Sequence, residues 1–183
     1  MKSCEQTKNL NVLEHGFSVA RYFSDLYNHI KNKKELKNDW KLPDWIYDSF
    51  LWENILDKKT IIKYQIYHDC GKPYCINYDD EGKKHFPNHA EVSSKIWKKL
   101  NPNDKVISEL ILKDMDIHIT KPKDYKKISE TPYWATQIIT GLCELHSNAS
   151  MFGGIESTSF KIKYKNLNKL SKRILEDKKE ESF

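Results

Sequence analysis

The chain is poor in the residues that punctuate tight turns, with six glycines and six prolines among 183 residues. Sandwiches and barrels of short strands need many of both, so the scarcity argues for helices. Long apolar runs are lacking as well. No stretch approaches the roughly 18 apolar residues of a membrane span. The opening MKSCEQTKNLNVLEH has no apolar core of a secretory signal. A cytoplasmic protein with no membrane partner is the expectation. The four cysteines (Cys4, Cys70, Cys75 and Cys143) include no C-x-x-C pair. Cys70 and Cys75 lack the second pair that a structural zinc site needs, so reduced thiols are expected. Glycine-rich nucleotide loops and a Gly-x-Ser-x-Gly elbow are missing, which removes those nucleotide-binding and serine-hydrolase classes.

What is present reads as one all-α domain over residues 1–183, with a basic segment at 155–183. Hydrophobic residues make up 38% and charged residues 31%, and the net charge of +5 leans mildly toward anionic partners. His15, Val19, Tyr22 and Leu26 follow steps of four, three and four, which predicts a helix over 10–30 with His15 facing inward. Further helices are expected from Pro43 onward, over 58–69, from Asn88 with a capping box to Glu91, over 104–118, and from 131. Gly71 and Pro73 stop the third. A loop or short hairpin fills 74–86. Residues 160–174 alternate like a strand, yet Phe160, Tyr164, Leu167 and Ile174 also form a helical stripe. Helix is the reading that suits the rest of the chain, with the last eight residues or so frayed.

The histidines carry the chemistry. His15, His68, His118 and His146 fall on inward faces or at ends of predicted helices, and His89 opens another. A single histidine on an apolar face is usually a hydrogen-bonded core residue. Several in one small chain are explained jointly by convergence on a metal. His68-Asp69 is the sharpest signal. At a helix end, imidazole and carboxylate can reach one ion, and that donor pair suits a first-row divalent metal. Lys72 follows on the next loop, within reach of a phosphate oxygen.

The combination of His15 in the first helix, His68-Asp69-Cys70-Gly71-Lys72 and Asn88-His89-Ala90-Glu91-Val92 resembles the HD superfamily of metal-dependent phosphohydrolases. His118 also falls where many such proteins carry a histidine. The resemblance covers residues 10 to about 150 and implies a helical HD-domain bundle. It implies hydrolysis of phosphate esters with one or two divalent ions among Mn, Fe, Ni, Co, Mg or Zn. It further implies His15, His68 and Asp69 as metal ligands. His89 and His118 would hold a second metal or contact phosphate, and Lys72 would stabilise phosphoryl charge. The family's late aspartate is missing from Leu142-Cys143-Glu144-Leu145-His146-Ser147-Asn148-Ala149. His146 is the expected substitute ligand by helix face, with Asn148 next, and Asp114 stands on the His118 face.

The segment after the candidate site suggests a substrate. Asn148 and Ser150 lie in a small polar stretch leading to paired glycines, which either presents donors to a phosphate or simply connects two helices. Between Ser157 and Leu175 there are six basic residues and no acidic ones, among them Lys161, Lys163 and Lys165, with Phe160 and Tyr164 interleaved. Such a run is usually a solvated helix face, but it also suits a nucleic-acid strand. A looser resemblance to the HD phosphatase modules of RNA end-healing enzymes, and to small HD proteins of large tailed phages, points the same way. The expected substrates are therefore nucleotides or RNA ends bearing a terminal or 2′,3′-cyclic phosphate. The alternatives are a free-nucleotide 5′-phosphatase, a cyclic-nucleotide phosphodiesterase, or a metal-free binding module with a degenerate site.

Overall fold

The computed structural model describes residues 1–7 and 10–182. A short hairpin, β1 (Glu5–Thr7) with β2 (Leu10–Asn11), leads into α1 (Val12–Asn32). Asn11 accepts from the Glu14 N–H while Glu14 accepts from the Asn11 N–H, both at 2.9 Å. This reciprocal capping box had been expected at Asn88 and Glu91. Asn88 instead adopts φ 53° and makes no side-chain cap bond. The chain enters α4 (His89–Leu100) directly from the hairpin β3 (Asn77–Tyr78) and β4 (Lys84–His85), and Asn tolerates the left-handed turn this requires.

Pro43 opens only a 3-10 turn, Asp44–Tyr47, and Asp48 then caps α2 (Ser49–Glu53). The single helix expected there is two short pieces. Asp57 caps α3 (Lys58–Tyr67), which ends at His68. The helix expected over 104–118 also divides, into α5 (Lys105–Leu112) and α6 (Asp116–Ile119). The break lets Ile117 turn inward against α8 (Trp134–Met151), where Gly141 leaves it room. A short α7 (Lys126–Ser129) precedes α8. The ambiguous C-terminal stretch is helical, α9 (Thr158–Glu180), with Ser157 as its cap. It persists where fraying was expected, because Asp177 accepts from Tyr125 and Lys126 and so ties the last turns to α7.

The architecture is thus all-α with two small hairpins. α8 is the central element, buried along nearly its whole length. α1 packs on α3 and α8, and α9 packs on α8. Phe23, Leu26, Ile46, Leu51, Ile61, Ile138, Ile139, Leu170 and Ile174 form the main core. Each such side chain contributes about 1.5–3 kcal/mol when fully buried. A smaller cluster of Tyr64, Trp97, Ile107, Leu110 and Ile111 joins α3 to α4 and α5. Among the described residues, no helix is long and apolar enough to cross a membrane.

Candidate metal centre

Three elements bring the site together. α1 touches α3 so closely that a Cβ on Gly16 would lie 2.2 Å from the Ile66 carbonyl oxygen. That approach sets His15, one residue before Gly16, beside His68, two residues after Ile66. Their rings meet edge to face with centroids 5.3 Å apart. α8 supplies Glu144 from the third side. One ligand atom from each of His15, His68 and Glu144 can be chosen so that all lie within 4.8 Å of one another. Asp69 Oδ2 lies 3.2 Å from His68 Nε2 and 3.8 Å from His15 Nε2.

The hydrogen bonds of the group leave donors unspent. His68 Nδ1 donates to the Gln65 carbonyl at 2.6 Å, which turns Nε2 toward the cluster. Nε2 of His68, Nδ1 of His15 and Oδ1 of Asp69 are buried without a hydrogen-bond partner. Each orphaned group costs about 1–3 kcal/mol. Burial alone would lower the His68 pKa, but Asp69 and Asp114 beside it raise it to about 10. Without a cation, His68 would therefore hold a proton against Asp69, and a divalent ion can take that proton's place. His15 is pushed down to about 4 by burial and by His68, so it stays neutral and ready to ligate. Burial opposes ionisation of Glu144 and Asp69. His118, His68 and His15 nevertheless hold Glu144 well below the usual carboxylate range, and His68 and Lys72 do the same for Asp69. Two imidazoles and a carboxylate, with a second carboxylate adjacent, fit a divalent first-row ion with an open position.

The remaining predicted residues fall into two groups. Lys72 is buried, donates to Asp69 Oδ2 at 2.6 Å and to Gln6 Oε1 at 3.1 Å, and so fixes the carboxylate instead of reaching outward. His89 Nε2 stands 3.6 Å from Asp69 Oδ1. His118 Nε2 is 2.8 Å from Glu144 Oε2. Asp114 accepts from the Tyr64 hydroxyl and lies behind the cluster. A cavity of about 150 Å³ opens beside these groups, lined by His118, Glu144, Asn148, Lys163, Asn166 and Leu167.

His146 is not part of the centre. Its Nε2 accepts from the Lys41 N–H at 3.0 Å and its Nδ1 donates to the Leu142 carbonyl at 2.8 Å, so both nitrogens are spent. Burial lowers its pKa to about 4, and it packs against Trp40 and Phe160 as a neutral core residue. Ser150 is exposed and bonds the Ser147 carbonyl. Lys161 pairs with Glu156, and Lys165 is exposed on the outer face of α9. Phe160 and Tyr164 are buried, so they offer no face to a nucleic-acid base. Glu144 is the candidate ligand that sequence reading passed over. Its signal was present: it is the one Asp, Glu, Lys or Arg in an otherwise apolar and small-polar α8. It also stands four residues before Asn148, on the same helix face.

Comparison with family models, with curated proteins and with solved structures gives no match to this chain.

Proposed function

We propose that this protein is a divalent-metal-dependent phosphohydrolase built on an HD-type helical bundle. Its substrate would be a phosphate ester of a nucleotide or of a nucleic-acid end. The observation that carries the reading is the meeting of His15, His68 and Glu144 with Asp69, next to a cavity of mixed polar and apolar lining with room for a phosphoryl group and a small attached fragment.

His15, His68 and Glu144 would hold the ion, with Asp69 completing the set through the oxygen that no protein group occupies. The ion would neutralise phosphoryl charge and acidify a water for attack. The chain's own groups do the rest. Lys72 holds one Asp69 oxygen, which orients the other. His68 is fixed in one ring orientation by the Gln65 carbonyl. His118, poised by Glu144 at the cavity wall, can hold a proton near a departing ester oxygen. The apolar side of the cavity, formed with Leu145 and Leu167, limits the water around the reacting group. Between the two substrate classes the free nucleotide is favoured, because the aromatics of α9 are spent on packing and only charge remains to hold a strand.

Metal content measured by mass spectrometry on wild type and Asp69→Ala, with phosphate release from a nucleotide panel, tests the proposal. About one or two equivalents of a transition metal, lost in the variant together with phosphate release, are expected. No bound metal after reconstitution, or equal content in both proteins, would overturn it and leave a binding module.

A further inference from the structure

α9 carries a run of basic residues, but its lysines do not share one task. Lys161 is paired with Glu156 at 2.7 Å, and the Arg173 guanidinium sits 4.7 Å over the Tyr125 ring. Lys165, Lys169 and Lys172 are exposed away from the cavity wall. Lys163 is different. It shares a helix edge with Asn166 and Leu167, three and four residues on, and the three line the cavity together with His118 and Glu144. Among the described residues Lys163 makes no ion pair. Lys72, the other lysine near the metal ligands, is buried and committed to Asp69. Lys163 is thus the cation left free to meet a ligand in this cavity. Asn166 is held by its donation to the Thr120 carbonyl at 3.2 Å, which leaves its amide oxygen oriented.

The shape adds a second constraint. A second, shallower pocket of about 40 Å³ shares Leu145, Asn148 and Lys163 with the cavity and adds Phe152, Ser157 and Ser159. This offers one path for one ester substituent. Leu167 and Ile117 give the main cavity an apolar side.

We propose, resting on the phosphohydrolase reading, that the cavity selects phosphomonoesters over phosphodiesters, with Lys163 as the specificity-determining residue. A monoester approaches a charge of −2 at neutral pH because its second pKa is about 6, and Lys163 meets the charge that a diester lacks. The neighbouring pocket past Asn148 would take the substituent of a monoester.

The test measures binding on the metal-loaded full chain by calorimetry, using orthophosphate and diethyl phosphate as probes. Hydrolysis of p-nitrophenyl phosphate and of its bis ester is followed in parallel. Wild type should bind orthophosphate at least about tenfold more tightly than diethyl phosphate, the size of one charge-assisted hydrogen bond. Lys163→Gln should remove that preference, raising KM for the monoester by a similar factor with kcat little changed. Metal content and diethyl phosphate affinity should stay the same. Lys163→Arg should restore part of the preference, and Lys172→Gln should alter nothing. Equal binding of the two probes by wild type, no phosphate binding, or a Lys163→Gln protein that keeps the preference would overturn the proposal. If phosphate binding depends on Lys163 but neither ester is cleaved, the anion site stands and the hydrolase reading falls.

Discussion

His146 and Glu144 stand two positions apart on one buried helix, about 160° from each other around its axis. His146 faces the packing with α9, and Glu144 faces His15 and His68. Removing them should have opposite signatures. His146→Ala should lower stability by about 3 kcal/mol in chemical denaturation, through a cavity beside Trp40 and Phe160 and an unpaired Lys41 N–H. Its metal content should not change. Glu144→Gln should fold normally and bind metal at least about tenfold more weakly. A His146→Ala protein that folds well but loses its ion would reverse the two assignments. Asp25 makes a further residue-scale claim that is independent of the site. Burial disfavours its charge. The Trp40 indole, the Asn38 side chain and the Lys37 and Asn38 N–H groups nevertheless donate to it, so its pKa falls below the ordinary 3.8. A lowered carboxylate pKa adds stability above the unfolded value, and that stability drains away as pH falls from 3.8 toward the folded pKa. Asp25→Asn should therefore show a flatter loss of stability on acidification than wild type, read from denaturant midpoints between pH 5 and about 2.

At the scale of elements, two glycines expose different physics. Gly71 is the predicted helix stop, and its φ of −85° is an ordinary value that needs no glycine. Its real constraint is space, since an added Cβ would lie 2.3 Å from the Ser93 N atom. The Gly71 N–H donates to Ser93 Oγ at 2.8 Å, so this contact seats the first turns of α4 against the His68-Asp69 end of α3. Gly71→Ala should cost about 2–3 kcal/mol in thermal or urea unfolding and weaken the metal centre with it. Gly82, at φ 74° with open space around it, should cost only about 1 kcal/mol as Ala. Comparable losses for the two would remove the packing explanation for Gly71. The same contrast explains what sequence could and could not reveal. α1 and α8 were legible because each carries a long apolar stripe of one period, whereas the α9 segment also alternates like a strand and was read as helix from the character of the rest of the chain. The breaks near residues 48 and 113–115 were not, because they serve contacts with helices distant in sequence, such as Ile117 against Gly141. His15, His68 and Asp69 were legible as residue types in order, whereas choosing Glu144 over His146 needed the rotation of α8 about its axis. That rotation is fixed by α1 and α9 together.

For the molecule as a whole, the proposed ligands sit on α1, α3 and α8, from position 15 to position 144. An ion shared by them would bridge helices that meet only in the folded state, at a place where His15, His68 and Asp69 each keep a buried polar atom without a hydrogen-bond partner. Such an ion binds the native chain and not the unfolded one. It should therefore add about 4 kcal/mol of stability at a thousandfold excess over its Kd. For a chain of this size each kcal/mol moves Tm by about 2–4 °C, so the metal-loaded protein should melt about 8–16 °C above the chelated one. Glu144→Gln, with its neutral amide, should lose most of that increment while melting near wild type when both are chelated. The comparison separates a metal held by the folded bundle from one that binds folded and unfolded chains alike, because the latter would leave the two melting curves of wild type superimposed. Superposition would also mean that the orphaned nitrogens of His15 and His68 are satisfied by protonation and water, with Asp69 serving as the counter-ion of a buried histidine.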